Sequence, residues 1–222
     1  MAQMAQEAYG EIEAQSGIQF HHTVGGVRAM GHGDGAKQFA QVSDFGRQQG
    51  ADFRPFSPAD INEALPFFGF PEQTHILWER GMAGYVNPRQ LVAAEVVCAE
   101  KNGASIVRET VLSLEHGRDH ITIHTDLGTI RQAKNVLLAT GAFTNKLLPN
   151  QPLALKREAH MILMAEIGPA EQERLSEMPT LFYKLPAGRA MNDLYMLPPI
   201  RYPDGRSYIN CLLYTSPSPR DS

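Results

Sequence analysis

Hydrophobic residues recur at three- and four-residue steps in three stretches of the chain, the period of a helix that buries one face. In the first stretch Met4, Ala8 and Ile12 form one stripe among Ala, Gln and Glu, which favour helix. In the third, Asn87 and Pro88 supply a cap and a first-turn proline. The pattern predicts three main helices, over residues 1–15, 36–50 and 88–101.

Alternating and continuous apolar runs predict strands between these helices. Residues 120–125 alternate as a half-exposed strand does. Residues 135–140 read Asn-Val-Leu-Leu-Ala-Thr, a continuous run that predicts a strand buried on both faces. Pro203-Asp204-Gly205 is a strong turn signal and predicts a hairpin. The other predicted strands are 23–30, 53–56, 75–78, 105–108, 110–114, 130–133, 157–165, 180–184, 194–197 and 207–210, and shorter helices are predicted at 144–148 and 169–178.

The composition excludes several classes of function. A net charge of -4 without clustered Lys and Arg argues against a nucleic-acid surface, and no apolar run of about eighteen residues exists to span a membrane. The two cysteines, Cys98 and Cys211, fit a reducing, cytoplasmic compartment with no disulfide framework. His120 and His124 share a strand face but have no acidic or cysteine partner at a suitable spacing, so no metal site is expected.

The composition changes abruptly at Cys211 and becomes rich in Ser and Pro. A nucleotide string that resembles a transposon adapter used in sequencing libraries translates to the eleven residues Cys211–Asp221. We therefore expect 211–222 to be translated adapter that does not pack and has no part in the fold. On this interpretation the natural chain continues past Asn210.

The strongest candidate for a functional site is the segment that ends the predicted buried strand, Leu137-Leu138-Ala139-Thr140-Gly141-Ala142. A glycine at the carboxyl end of a strand lets backbone pass close to a ligand, at the edge where open α/β sheets bind cofactors. An ordinary strand followed by a glycine turn would have the same sequence. The motif therefore gains its meaning from the segments around it.

Four segments, in this order along the chain, resemble those of FAD-dependent oxidoreductases of the D-amino-acid oxidase, sarcosine oxidase and glycine oxidase superfamily. They are Tyr85–Leu91, which opens a helix; Gly103–Val111, a strand at the adenine; Thr125–Ile130, a hairpin turn; and Ala139–Leu148, the strand beside the flavin with the helix after it. The resemblance extends weakly over residues 1–210.

The resemblance implies an α/β fold with a partial FAD-binding, Rossmann-like domain and a substrate domain built on an antiparallel sheet. Residues 86–150 would belong to the FAD-binding domain, and 1–85 and 151–210 to the substrate domain. It also implies oxidation of a C–N bond of an amino acid or secondary amine to an imine, with FAD as cofactor and dioxygen or another electron acceptor. A small-molecule amine is the expected partner.

The site residues that the resemblance implies fall into two groups. Tyr195 would hydrogen-bond a substrate carboxylate, although a strand tyrosine with its hydroxyl in solvent is the alternative. Phe143 would lie near the flavin or, equally, serve as a core residue. The implied cofactor residues are Val111, Ala139, Thr140, Gly141, Ala142 and Phe143. The possible carboxylate clamps are Arg28, Arg157, Arg189 and Arg201, among which the sequence does not choose, and no catalytic residue is identified.

The family's opening strand, G-x-G-x-x-G turn and helix, which hold the flavin pyrophosphate, have no counterpart here. The segment Gly31–Ala36 matches a loose form of this motif, but the strand before it is broken by glycines, so we reject it. We therefore expect an internal fragment that is inactive alone and binds FAD weakly or not at all. Two alternatives remain: a hydroxy-acid or glycerol-phosphate dehydrogenase with the same fold, and a non-catalytic orphan fragment.

Overall fold

The computed structural model describes residues 2–31, 35–155, 162–185 and 191–215. The chain forms two compact units, the first comprising Met1–Cys98 and His160–Ser222 and the second Ala99–Ala159. The helices are α1 (Ala2–Ser16), α2 (Gly35–Gln48), α3 (Pro58–Ala64), α4 (Pro88–Lys101), α5 (Thr144–Leu147) and α6 (Pro169–Arg174). The strands are β1 (His21–His22), β2 (Gly26–Met30), β3 (Phe53–Phe56), β4 (His75–Glu79), β5 (Tyr85–Val86), β6 (Val111–His116), β7 (Ile121–Thr125), β8 (Ile130–Ala133), β9 (Ile162–Ile167), β10 (Thr180–Lys184), β11 (Met191–Arg201) and β12 (Ser207–Thr215).

The three main predicted helices are confirmed as α1, α2 and α4. None of the helices within the described ranges is long and apolar enough to cross a bilayer. Helix α6 ends at Arg174, short of its predicted end at 178, and β11 and β12 are longer than predicted. The strand predicted at 157–165 is described from Ile162 onward, and its earlier part lies outside the described residues.

The first unit is built on a seven-stranded sheet with the order β3-β4-β2-β10-β11-β12-β9. Each neighbouring pair is antiparallel except β2 and β10, which run parallel. The predicted antiparallel sheet therefore needs one correction. The parallel pair joins two strands that are far apart in the sequence, so no hairpin dictates their direction.

One face of this sheet carries the core of the first unit. Val27 and Ala29 of β2 and Leu181 of β10 are almost fully buried and pack with Ile61 and Leu65 from the α3 region. Helix α3 begins there because the Ser57 hydroxyl accepts a hydrogen bond from the backbone N–H of Asp60 at 3.2 Å and Pro58 occupies the first turn. Because side chains alternate along a strand, burial of these residues on one face determines which side chains point to the opposite face.

Helix α1 is tied to the strand that follows it by one carboxylate. Glu13 Oε1 accepts hydrogen bonds from the backbone N–H groups of His21 and Phe20, both at 2.7 Å. The bond from His21, more than the one from Phe20, lowers the pKa of the Glu13 carboxyl below its usual range, against the opposing effect of burial. This contact sets where β1 starts, and β1 then pairs with β5.

The second unit contains the three-stranded antiparallel sheet β6-β7-β8. The strands predicted at 105–108 and 135–140 do not form there. Residues 105–108 are exposed, and in 135–140 only Val136 and Leu138 are half-buried, while Leu137 keeps 91% of its surface in solvent. The physical reason is that a strand needs a neighbour for its backbone N–H and C=O groups, and no strand of the described residues pairs with either run.

The segment expected to be an unpacked tail also departs from the prediction. Strand β12 continues through Cys211 to Thr215, where it pairs with β11, and Cys211 and Leu212 also pair with β9. Backbone pairing is open to any segment of β-prone residues, and 211–215 is rich in them. The predicted lack of packing is thus corrected for 211–215, while the adapter origin of 211–222 stays a prediction.

We expect Glu13→Gln to destabilise the chain by roughly 1–2 kcal/mol at neutral pH, because a neutral amide accepts the two backbone bonds less strongly in a partly solvated site. The folded pKa is lowered, so the carboxylate's contribution is complete above the ordinary value near 4.3 and is lost as pH falls through the folded value. Urea unfolding across this range should show the two proteins converging in acid.

The control is Glu11→Gln, which removes an exposed carboxylate from the same helix. It should leave the free energy of unfolding nearly unchanged at every pH. Equal losses in the two variants would show that the charge of α1, and not the contact with the strand, is responsible.

Candidate functional site

The face of the seven-stranded sheet opposite the core carries a row of three chemically distinct side chains. In the strand register Phe182 of β10 lies opposite Arg28 of β2 on one side and Tyr195 of β11 on the other. Paired residues point to the same face of a sheet, so the three side chains share this face. The sequence prediction for Tyr195 and one of the four candidate arginines are thereby brought together.

This face forms the floor of a cavity of about 840 Å³ that lies entirely within the first unit. Arg28, Phe182 and Tyr195 line it from the sheet. Tyr9 of α1 and Phe45 of α2 contribute to its walls. The cavity therefore combines aromatic walls with a few polar groups, which is the usual make-up of a small-molecule site.

Two charged side chains line the cavity, Arg28 and Glu79. Neither forms a hydrogen bond or a salt bridge with any residue that the structure describes. Burial raises the pKa of the Glu79 carboxyl, and the positive charge of Arg28 works in the opposite direction. A guanidinium stays charged under all physiological conditions, so Arg28 supplies a permanent positive charge at this end of the cavity.

The edge of the cavity depends on a close backbone approach at Gly84. A Cβ atom at this position would overlap the carbonyl oxygen of His22. The absence of a side chain thus allows β5 to pair with β1, where the His22 ring stacks on Tyr85 with centroids 4.7 Å apart. Burial raises the pKa of the Tyr85 hydroxyl, so the phenol stays neutral and able to donate a hydrogen bond.

Tyr195 also lines a second, smaller cavity of about 250 Å³ in the same unit. Asn210 lies there with 7% of its surface exposed, and its Nδ2 donates to the hydroxyl of Tyr202 at 2.8 Å. Its Oδ1 is buried and has no hydrogen-bond partner among the described residues, so it is an acceptor that a bound molecule could satisfy. Arg89 stands over the Tyr202 ring, 5.2 Å from its centroid.

Sequence reasoning missed both Asn210 and Glu79. Asn210 pairs with Leu197, which lies two residues from Tyr195 on β11, so the alternation of the strand places Asn210 on the face that carries Tyr195. This alternation was the signal in the sequence. Nothing in the sequence distinguishes Glu79 from other strand-end carboxylates. Of the remaining arginine candidates, Arg201 is exposed and lines the smaller cavity, whereas Arg157 and Arg189 lie outside the described residues.

The residues expected to meet the cofactor lie in the second unit, in a short 3₁₀ turn and the residues before it. Gly141 has a φ of +51°, and a Cβ atom built there would meet no other atom within 4 Å. The Thr144 hydroxyl donates to the Gly141 carbonyl at 2.8 Å and stabilises this turn. The chain is thus held in a conformation that favours glycine, with open space above it.

The surroundings of this turn are open as well. Ala139, Thr140 and Ala142 are exposed, and Phe143 keeps 58% of its surface in solvent, with Lys146 Nζ 5.2 Å from the ring centroid. Phe143 is therefore not part of the core formed by the described residues, and its place beside the flavin stays a prediction. Exposed apolar side chains beside an unobstructed glycine fit a planar aromatic group such as a flavin.

Val111 opens β6 opposite Thr125 and is 37% exposed. Helix α5, which directly follows the Gly141 turn, contacts β6. The structure thus brings the strand that carries Val111 next to the predicted flavin-proximal segment. The cofactor candidates all lie in the second unit, whereas Tyr195 belongs to the first.

Comparison with known proteins identifies the family of the chain. The profile of the FAD dependent oxidoreductase family, also called DAO, matches residues 1–210. The match covers nearly the whole chain, so the chain belongs to this family of FAD-dependent oxidoreductases, and FAD is the cofactor of the family. No curated protein sequence matches the chain.

Solved structures share the fold at low sequence identity. NikD, an unusual amino acid oxidase essential for nikkomycin biosynthesis, matches at 19% identity and a TM-score of 0.62, over 97% of this chain and 56% of that one. Glycine oxidase from Bacillus cereus matches at 16% and 0.64, over 99% and 59%. L-proline dehydrogenase from P. horikoshii matches at 16% and 0.67, over 94% and 53%. The chain spans about half the length of these structures.

The close approach at Gly84 leads to a test of the cavity edge. We expect Gly84→Ala to destabilise the chain by about 1–3 kcal/mol, because the new methyl group must displace the His22 carbonyl. Thermal unfolding measures the loss. Gly10→Ala is the matched control, since nothing lies within 4 Å of a Cβ there and alanine should stabilise α1 by about 0.5–1 kcal/mol. An unchanged melting temperature in Gly84→Ala would contradict the close approach.

Proposed function

We propose that the protein to which this chain belongs oxidises a C–N bond of an amino acid or secondary amine to an imine, with FAD as the hydride acceptor. The observation that carries this proposal is the cavity above Arg28, Phe182 and Tyr195 in a chain that the family profile matches over residues 1–210. The amino acid oxidases and the proline dehydrogenase among the structural neighbours support the same reaction class.

In this proposal Tyr195 orients the substrate. Its phenol stands half-buried on an apolar wall beside Phe182, where a hydroxyl donates well to a carboxylate. Holding the carboxylate fixes the neighbouring carbon, and such positioning is a large part of what an enzyme contributes when a cofactor performs the chemistry. The aromatic walls exclude water from the substrate's apolar part.

The cofactor would be held by the surface of the second unit. Val111 would contact the adenine end through its backbone, and Ala139, Thr140, Gly141, Ala142 and Phe143 would flank the flavin. The bound flavin supplies the electron sink for amine oxidation. Residues 86–150 would then form part of an FAD-binding domain, and 1–85 and 151–210 a substrate domain. The exposed runs at 105–108 and 135–140 would become strands of its sheet.

Dioxygen or another acceptor would reoxidise the flavin, and a cytoplasmic location is consistent with the use of only two cysteines. The full-length, flavin-loaded protein provides the test. Anaerobic mixing with glycine, sarcosine, D-alanine and L-proline should bleach the flavin absorbance with at least one of them. Bleaching by lactate or glycerol 3-phosphate alone would instead assign the hydroxy-acid or glycerol-phosphate dehydrogenase activity.

Replacing Tyr195 tests the substrate contact. We expect Tyr195→Phe in the full-length protein to lower kcat/KM for amino-acid substrates about threefold to tenfold, the value of one lost hydrogen bond. An amine without a carboxylate should be unaffected. Tyr208→Phe is the control, because the Tyr208 hydroxyl bonds Asp204 outside the cavity. An equal effect on substrates with and without a carboxylate would refute the assigned role.

Replacing Gly141 tests the cofactor surface. We expect Gly141→Val to abolish flavin retention in the full-length protein, because a β-branched side chain would occupy the open space above the turn and strain a φ of +51°. Gly128→Val is matched to it. Gly128 also has a positive φ, +74°, with nothing within 4 Å of a Cβ, but it lies in the β7–β8 hairpin turn.

Both valine variants should lose stability through backbone strain, and only Gly141→Val should lose the cofactor. The measurement is bound flavin per protein, recorded beside circular dichroism. Full flavin occupancy in Gly141→Val, or equal loss in both variants, would remove the flavin from this turn.

A further inference from the structure

Arg28 stands out among the residues that line the 840 Å³ cavity, because no ion pair among the described residues holds its positive charge. The guanidinium makes no hydrogen bond or salt bridge within the described part of the chain. By contrast Arg54, on the edge strand β3 of the same sheet, forms a salt bridge from its Nε to Asp52 Oδ1 at 2.8 Å. A guanidinium carries five donors in a fixed fork that matches a carboxylate, so an unpaired one on a cavity wall suits an anionic ligand.

The strand register sets how far Arg28 lies from Tyr195. Strand β10 runs between β2 and β11, and Phe182 separates the two residues across the sheet. Two strand spacings place their backbones roughly 10 Å apart. Side chains stand roughly perpendicular to a sheet, so this spacing favours contact of Arg28 and Tyr195 with different ends of a bound molecule.

The chemistry between these two ends is apolar. Phe182 forms the floor, and Val42 and Phe45 of α2 face the cavity with 41% and 66% of their surfaces exposed. A short aliphatic chain would bury these surfaces and bridge the two polar ends. Glu79 lies at the same end as Arg28 and would repel a second anion, but burial disfavours its charged form.

We propose that Arg28 binds a second carboxylate, carried by the substrate at the end away from the reacting amine, and so selects amino dicarboxylates over neutral amino acids. This assignment rests on the proposed function, in which Tyr195 holds the carboxylate next to the amine. It names a specificity-determining residue and a substrate class. A substrate such as glutamate or its N-methyl derivative has the required chain between its two carboxylates.

The first test compares substrates that differ only in the distal charge. Racemic glutamate and glutamine, each as the free and the N-methylated amino acid, are offered to the full-length, flavin-loaded protein. We expect kcat/KM for the preferred glutamate form to exceed that for its glutamine counterpart at least about tenfold, as for a charge-assisted bidentate contact. Arg28→Gln should remove this preference, so that the kcat/KM values of the glutamate and glutamine forms converge.

The matched control is Arg54→Gln, which removes the same charge from an exposed position outside the cavity. It should keep the full preference. Arg28 is itself exposed, so its replacement should not unfold the chain, and circular dichroism checks this. Equal use of the glutamate and glutamine forms by the unaltered protein, or an equal loss of both in Arg28→Gln, would overturn the proposal while amine oxidation itself stands.

The second test needs neither flavin nor turnover, because the cavity lies within the first unit of this chain. Isothermal titration calorimetry measures binding of glutarate to the 222-residue chain. Arg28→Gln should weaken binding at least about tenfold, and Glu79→Gln should strengthen it by removing a competing carboxylate. If no amine reduces the flavin, the proposed function fails, and this titration still decides Arg28. Equal glutarate affinity in Arg28→Gln, or no binding to the unaltered chain, would refute the anion site.

Discussion

The first unit depends above all on the parallel pairing of β2 with β10, which joins two distant parts of the chain. Thr180 seals the start of this pair with a buried hydroxyl that donates to the carbonyl of Gly25 at 3.2 Å. Because successive side chains of a strand alternate between faces, a slip of one residue would turn Arg28 out of the cavity and Val27 into it. The core and the candidate site are therefore set by the same ladder of hydrogen bonds.

The packing on the core face selects this register. Val27, Ala29 and Leu181 are each at most 3% exposed and meet Ile61 of α3. Exposing one such valine or leucine side chain costs about 1.5–3 kcal/mol, so a slipped register would forfeit several kcal/mol at once. On the cavity face Leu77, which lies opposite Arg28, is fully buried as well, but Arg28 and Glu79 form no hydrogen bond or salt bridge with the described residues. The core thus holds the site residues in place without their taking part.

Sequence patterns predicted the helices, whose hydrogen bonds and caps join residues that are close together in the chain. The stripe of Met4, Ala8 and Ile12 and the cap at Asn87 specify α1 and α4 wherever the rest of the chain lies. The apolar run at 135–140 is different. Its composition suits burial between two neighbouring strands, but a strand forms only where those neighbours are present. The direction of β2 against β10 could not be predicted, because nothing near either strand in the sequence encodes a pairing over such a distance.

The candidate site shows the same division. Tyr195 and the glycine of Ala139-Thr140-Gly141 could be selected from the sequence because the family resemblance covers them, whereas the place of Arg28 in one row with Tyr195 required the register. Asn210 and Glu79 gained meaning only from their surroundings, an orphaned acceptor in one case and a desolvated carboxyl in the other. Such properties arise from the neighbours that the fold supplies.

The electrostatics of the cavity follow from the fact that the core stabilises the fold while Arg28 contributes no hydrogen bond or salt bridge within the described residues. In the open cavity, water screens Arg28, so its charge costs the fold little. A ligand that fills the cavity displaces this water, and the attraction between unit charges about 4 Å apart rises from roughly 1 kcal/mol in bulk water to about 4 kcal/mol near a protein surface. A carboxylate-bearing ligand gains this difference, whereas a neutral ligand leaves the guanidinium desolvated and unpaired. The discrimination therefore comes as much from rejecting the neutral molecule as from attracting the charged one.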